Sequence, residues 1–450
     1  MIQPALLPAT GPFQLLLAAG SVAGLLAAMW LVRRAAGRRG LSAELQRKLV
    51  HVGTGLYALT LPWLFADRWP VLALVAMALA AMFVMRLPRV AKGGIGAALH
   101  GVERKSYGDL LLALAIGTVF VLSDGEAILY VLPIAILTLA DAAAALTGSR
   151  YGRAFFSVED GRKSVEGSVA FFAVALIVSM VCLLLLSEVS RGGVIILSVI
   201  VAAFATQVEA ESWRGFDNFF LPAGVMVFLQ AHLGSAPAEL MLIAALFVGA
   251  TAAFLLGARE LGLPAHAARV YAIAVFLLLS VTAAHNAVLP ILVFAAHGLV
   301  RRLNPSPAAH PELDVVASLA LVSFGWLVLG LVTGLNALPF YGLTALGFSV
   351  GLVTLGLVAA PLPLRVGVPL AASAALLWLW EMLMPLNMPN VAWAGDLTAL
   401  ALLAAALCLA VPLLASGAFA AARAARVALL ASLAPLCGFL WSAARTRGLL

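Results

Sequence analysis

The sequence predicts an all-α, polytopic transmembrane helical bundle of about 14–16 spans with its N-terminus outside, and three observations carry that prediction. Hydrophobic residues make up 64% of the 450 positions and the mean hydropathy is +1.09, well above the roughly 45–50% apolar usage of soluble domains. Apolar runs of about 17–22 residues recur from end to end, long enough to cross a hydrocarbon core of about 30 Å as helices. With the N-terminus outside, all but four of the 27 Lys and Arg (Arg68, Arg191, Arg445, Arg447) fall on the cytoplasmic side, as the positive-inside rule requires. The net charge of +7 therefore reports orientation. No basic stripe interleaved with aromatics points to nucleic acid.

The spans follow from where charge and turn residues interrupt the apolar runs. The first, about 13–32, stops at Arg33–Arg34, and the second, about 49–66, starts after Arg47–Lys48. A third at about 69–85 ends before Arg86. A fourth at about 108–122 and a fifth at about 127–147 are separated by SDGE, a turn-forming cluster. Next come about 168–187, 193–208 and 216–232, divided by polar segments rich in glycine and acid. Beyond these the runs at about 238–257, 269–284, 286–300, 313–334, 340–360, 365–386, 396–416 and 424–442 follow one another with short connections, the last two rich in Ala and Leu. Cys182, Cys408 and Cys437 lie inside apolar runs without CxxC spacing, so neither a disulfide framework nor a zinc site is expected. The N-terminal MIQPALLPATGPF has no basic n-region or small-residue cleavage site, so a cleaved signal peptide is not expected.

Polarity divides the chain into a chemistry-bearing region, 1–234, and an additional transmembrane region of unassigned role, 235–450. Within the first, four segments stand out. QRKLVHVGTG (46–55) places Arg47 and Lys48 as the ordinary basic flank of a span, but His51 lies one turn inside it, on the same helix face as Lys48. An ionisable group at that depth faces the bundle interior or a watery cavity. Gly53 and Gly55 would admit a neighbouring backbone. LTLADAAAALTGSRYGR (137–153) puts Asp141 inside a span, where a carboxylate is costly and marks function by default. Small residues follow it, and Gly148 and Gly152 flank a short loop with Arg150 and Arg153.

DGRKSVEGS (160–168) is not a P-loop, because Arg162 stands where that motif needs glycine. Lys163 nevertheless offers a point charge for phosphate and Ser164 or Ser168 a hydroxyl. A solvated loop would tolerate the same residues, and Ser168 is placed to cap the next span. QVEAESWRGFDNFFLP (207–222) clusters Glu209, Glu211 and Asp217, with Asn218 entering the next run and Pro222 breaking it. Irregular membrane helices of that kind line cavities. Carboxylate oxygens there suit Mg2+ held partly by substrate phosphates.

In this order, RKxxH…G, DAAAAxxGxxxG, KSxEGS and E…DNxxxP resemble the phytol kinase / dolichol kinase / CTP-dependent diacylglycerol kinase family, which is related to the phosphatidate cytidylyltransferases. The likeness runs from Arg47 to Pro222. It implies phosphoryl transfer from CTP, with Mg2+, to an isoprenoid alcohol or diacylglycerol at the cytoplasmic face of a prokaryotic plasma membrane. It implies catalytic roles for Asp141, Lys163, Asp217 and His51, and metal ligation by Asp141, Asp217 and Glu209, with Glu211 a rival for the last. Arg47, Lys48, Gly148, Gly152, Ser164, Glu166, Gly167, Ser168 and Asn218 would contact the nucleotide. A cytidylyltransferase making a CDP-lipid and a lipid transporter or flippase are the alternatives. RGFDNFFLP in place of the cytidylyltransferase C-terminal signature favours the kinase branch. Beyond about residue 238, His285, Asn286, His297, Asn336, Glu381 and Asp396 read as interfacial residues at span ends, without assigned chemistry.

Overall fold

A computed structural model describes residues 10–65, 67–86, 107–158, 161–258, 260, 262–306, 308 and 310–448. Asp160 and four of the basic residues used to set orientation on the 87–106 segment (Arg89, Lys92, Arg104, Lys105) lie outside them. The described chain is helical almost throughout, as the hydropathy predicted. Eleven of its helices are long and apolar enough to cross a membrane, and three shorter apolar helices accompany them. The second predicted span is not among the eleven, since its helix carries Glu44, Arg47 and Lys48 near its start. The 216–232 span is too short and opens on Asp217.

The chain packs as two compact units, Met1–Ala253 and Phe254–Leu450. The first contains α1 (Gly11–Arg38), α2 (Ala43–Leu64), α3 (Arg68–Arg86), α4 (Gly108–Leu122), α5 (Ala127–Tyr151), α6 (Val165–Leu186), α7 (Arg191–Glu211) and α8 (Asp217–His232). α5 is its hub, packing on α2, α4, α6 and α8. Its buried face includes Leu132, Ile134 and Ile136, all fully covered. Tyr130 is also covered, donating its hydroxyl to the Ala58 carbonyl at 2.8 Å. In lipid, helices gain little from hydrophobic burial against one another, so close packing and polar contacts must hold them. Gly55 provides one such approach: a Cβ there would sit 2.1 Å from Thr138 Oγ1. Gly53 faces open space, and what Gly55 admits is the Thr138 side chain, where a neighbouring backbone was expected at both.

Three sequence expectations are corrected here. The segment between α5 and α6 is an antiparallel hairpin, β1 (Phe155–Val158) with β2 (Gly161–Ser164), where a loop was expected. Gly161 has φ +123°, which a β-carbon would oppose. α5 continues to Tyr151, so Gly148 and Arg150 are helical and the short loop starts at Gly152. α8 runs through Pro222 unbroken, since the proline merely supplies no N–H to the Asn218 carbonyl one turn back.

The second unit comprises α10 (Ala265–Val281), α11 (Ala284–Leu303), α12 (Pro311–Thr333), α13 (Leu338–Gly356), α14 (Leu362–Leu383), α15 (Thr398–Leu414) and α16 (Arg423–Thr446), while α9 (Pro237–Gly257) spans the division. α13 is its central helix, covered by α11, α14, α15 and α16. Phe340, Phe348, Phe439 and Trp326 form an aromatic core there, with Phe340 and Phe439 edge to face at 5.3 Å. Small residues let the surrounding helices close on α13: a Cβ on Gly351 would meet Val427 at 2.6 Å.

Candidate active site

The N-terminal half of α2, the C-terminal halves of α5 and α7, the hairpin and the N-terminus of α6 bring the predicted chemistry together. Lys48 donates to both oxygens of Asp141 at 2.6 Å, an ion pair bridging α2 and α5 across 93 residues of sequence. Both side chains are nearly covered, at 9% and 8% exposure. His51, one turn further along α2, sets Nε2 3.4 Å from Asp141 Oδ2 and the same distance from the Leu137 carbonyl. The i, i+3 spacing of Lys48 and His51 thus aims both at one carboxylate.

Lys163 forms the second pair. Its ammonium lies 2.9 Å from Glu209 Oε1, also donates to the Glu209 backbone carbonyl, and reaches Ser212 Oγ at 3.4 Å. Glu209 is thus an acidic residue of the 207–222 segment that pairs with Lys163. Burial alone would depress the Lys163 ammonium, but Glu209 and then Asp217 and Asp141 outweigh it and hold the group above its ordinary value. The half-buried Asp217 carboxylate, at the start of α8, acts electrostatically on Lys163, Glu209 and His51. Among the described residues Asp217 has no ion-pair partner of its own.

The hairpin presents Lys163 because both of its ends are fixed. Ser164 caps α6, its hydroxyl accepting from the Gly167 N–H at 3.1 Å. The sequence pointed to Ser168 as this cap, yet Ser168 Oγ instead donates to the Ser164 carbonyl at 3.4 Å. The helix starts at Val165, three residues earlier than the apolar run suggested, so the cap moves with it. Glu166 accepts from the Ala154 N–H at 3.2 Å, tying the entry of the hairpin to its exit. Gly148 and Gly167 let α5 and α6 meet over the capping hydroxyl: Cβ atoms there would lie 2.7 and 2.9 Å from Ser164 Oγ. Gly152 is the C-cap of α5, pressed against the Gly148 carbonyl.

Several predicted nucleotide contacts therefore have structural work in this arrangement. Asn218 donates to the Gly108 carbonyl at 2.7 Å and anchors α8 to α4, and Tyr107 N–H donates to the Arg214 carbonyl beside it. Arg47 is exposed. Ser212 and Trp213 were not anticipated. Trp213 is 4% exposed and packs on Phe216 at 5.2 Å, and Phe216 stacks on Phe220 at 5.3 Å. A tryptophan in a polar connection was the available signal.

The carboxylates present oxygen donors, the chemistry that a hard cation takes. Among the described residues no group of three or more His, Cys, Asp or Glu is gathered closely enough to hold a metal alone. The three carboxylates expected to ligate a metal, Asp141, Asp217 and Glu209, are thus not gathered into one such group; Mg2+ in general binds through one or two carboxylates and completes its shell with water and substrate phosphates.

A polytopic helical membrane protein with one buried and one partly buried lysine–carboxylate pair at helix ends has the parts of a membrane phosphotransferase. The comparisons place it. Over 215 residues the chain is 35% identical to the phytol kinase of Synechocystis sp., an alignment covering 46% of this chain and 88% of that relative. The chain belongs to the phytol kinase family, a family of integral-membrane lipid-alcohol kinases. No protein-family model matches it, and no solved structure does. In the second half, Asn286 and Asn387 exchange side-chain hydrogen bonds, with His285 beside them. Asn336, Glu381 and Asp396 are exposed as interfacial residues would be, but His297 is buried at 4% exposure, contrary to that reading.

Proposed function

We propose that this protein transfers the γ-phosphoryl group of CTP to the hydroxyl of an isoprenoid alcohol of the phytol, geranylgeraniol or polyprenol type, at the cytoplasmic face of the membrane. The observation that carries the reading is the pairing of Lys48 with Asp141 and of Lys163 with Glu209 at the ends of membrane helices, with Asp217 acting electrostatically on Lys163. Before nucleotide binds, the pairs keep four charges compensated in a place where an isolated charge is costly. Asp141 and Glu209 are the carboxylates that would hold Mg2+, which supplies charge neutralisation at the phosphates when bound. Lys163 and Lys48 then turn their ammonium groups from carboxylate to phosphate oxygens. Asp217, not tied to a lysine, accepts the alcohol proton as the alcohol oxygen bonds to the γ-phosphorus and the bond to the departing CDP breaks. Positioning and charge stabilisation supply most of the rate in such transfers.

The reading is tested with purified protein and CTP or ATP labelled at the α- or γ-phosphate, against phytol, geranylgeraniol, a polyprenol and diacylglycerol. The γ label is expected in the lipid product. An α label there would make the protein a cytidylyltransferase, and label in no lipid would remove the enzymatic reading altogether.

A further inference from the structure

The second unit carries a polar cluster that the kinase reading does not use. His297 lies in α11, 4% exposed, and neither ring nitrogen has a hydrogen-bond partner among the described residues. One turn further on the same face is Arg301, and beyond it Asn304 ends the helix. Arg423, from the start of α16, donates Nη1 to the Asn304 carbonyl at 2.6 Å, while its Nε is buried without a partner. Arg301 and Arg423 both act electrostatically on the His297 ring.

Charge decides what these groups await. Arg301 is matched by Glu312, 2.9 Å away at the start of α12. Arg423 has no carboxylate partner among the described residues, so the cluster keeps an excess positive charge. An imidazole buried with both nitrogens unpaired has lost its water with nothing returned. The Asn304 carbonyl fixes the plane of the Arg423 guanidinium and leaves its remaining N–H groups as a fork, the geometry that oxyanions fit. The exposed Arg302 and Arg426 stand on the same two helix ends and add positive potential around it.

We propose that His297 and Arg423, backed by Arg301, form a binding site for a phosphate monoester, taken either as the free anion or as the headgroup of a single-chain lipid phosphate. Arg423 offers the bidentate fork and His297 a further donor. The membrane-end position would let an alkyl chain remain in the bilayer. The site does not depend on the kinase reading and would stand if that reading failed.

The test uses the full-length protein in detergent, followed by thermal unfolding with sodium phosphate, dodecyl phosphate or dodecanoate. Either phosphate probe is expected to raise the melting temperature, dodecyl phosphate alone indicating a lipid headgroup and both indicating the anion itself. His297→Leu should weaken the apparent affinity at least about tenfold. It should also leave kinase turnover unchanged and raise the melting temperature of the ligand-free protein, because it removes an unpaired buried polar group. Arg423→Gln should abolish the shift. If this variant does not fold, His297→Leu still decides. Lys163→Met, altered in the first unit, should retain the full response. No shift with either phosphate, an undiminished shift in His297→Leu, loss of the shift in Lys163→Met, or a larger response to dodecanoate would overturn the proposal.

Discussion

Replacing Lys48 with Met takes two 2.6 Å contacts from the buried Asp141 carboxylate and leaves His51 beside it at 3.4 Å. Exposure decides the size of the effect. A surface pair is worth about 0–1 kcal/mol, but these side chains are 9% and 8% exposed, so the buried case applies. Breaking one partner of a buried pair costs about 3–5 kcal/mol, because the survivor keeps its desolvation penalty. Removing both costs far less, since two apolar side chains of similar volume need no partner. Lys48→Met and Asp141→Leu are therefore each expected to lower stability by about 3–5 kcal/mol, and the double variant by about 1 kcal/mol or less. Unfolding by denaturing detergent in mixed micelles measures all three. Phosphoryl transfer from γ-labelled nucleotide should be lost in every one, including the stable double variant. That combination separates a pair kept for chemistry from one kept for folding. Single variants as stable as the parent, or an active double variant, would refute the reasoning.

Further outcomes follow from the same geometry. Lys163→Met should lower turnover by about 10²–10³-fold, the cost of one lost charge-stabilising donor, measured at saturating nucleotide. Because Glu209 and Asp217 raise the Lys163 ammonium above its ordinary 10.5, its charged form contributes fully below that value and is lost only as pH climbs through the still higher folded value. Turnover of the parent should then show no Lys163 titration between about pH 6 and 9, and a basic limb in that range that persists in Lys163→Arg belongs to another group. Gly148→Ala would set a methyl 2.7 Å from Ser164 Oγ, with a loss of about 1–3 kcal/mol. Adding Ser164→Ala to it should restore part of that stability despite the lost helix cap, read by the same unfolding assay. Chelation of divalent cations should abolish transfer without unfolding the protein, which near-UV circular dichroism checks.

Much of the membrane architecture was legible because lipid leaves one solution for a crossing segment, an apolar helix with its backbone bonded internally. Where polar side chains interrupt, hydropathy says less. Residues 155–158 pair with 161–164 in a hairpin that depends on the positive φ of Gly161 and on fastening by Glu166 and Ser164, none of which changes a hydropathy average. Asp141 declared itself by its cost inside a span. Its partner did not, because Lys48 also reads as a basic flank and the pairing joins residues 93 apart. Glu209 and Glu211 are equally acidic and two residues apart, and helical phase alone, set by how α7 packs, turns the first toward Lys163. His297 misled for the opposite reason: its place near a span end suggested water, while packing in the second unit covers it.

The hairpin that carries Lys163 has a kinetic consequence. It joins the end of α5 to the start of α6, two long apolar helices, so under the proposed function the reacting ammonium would be held at a phase boundary. One reactant then arrives in three dimensions from water and the other in two dimensions from the lipid sheet. For the alcohol, the governing quantity becomes its mole fraction in the bilayer, and its bulk molarity drops out. Diluting a vesicle suspension with buffer should leave the rate per enzyme unchanged at fixed nucleotide, whereas diluting the alcohol with inert lipid should slow it.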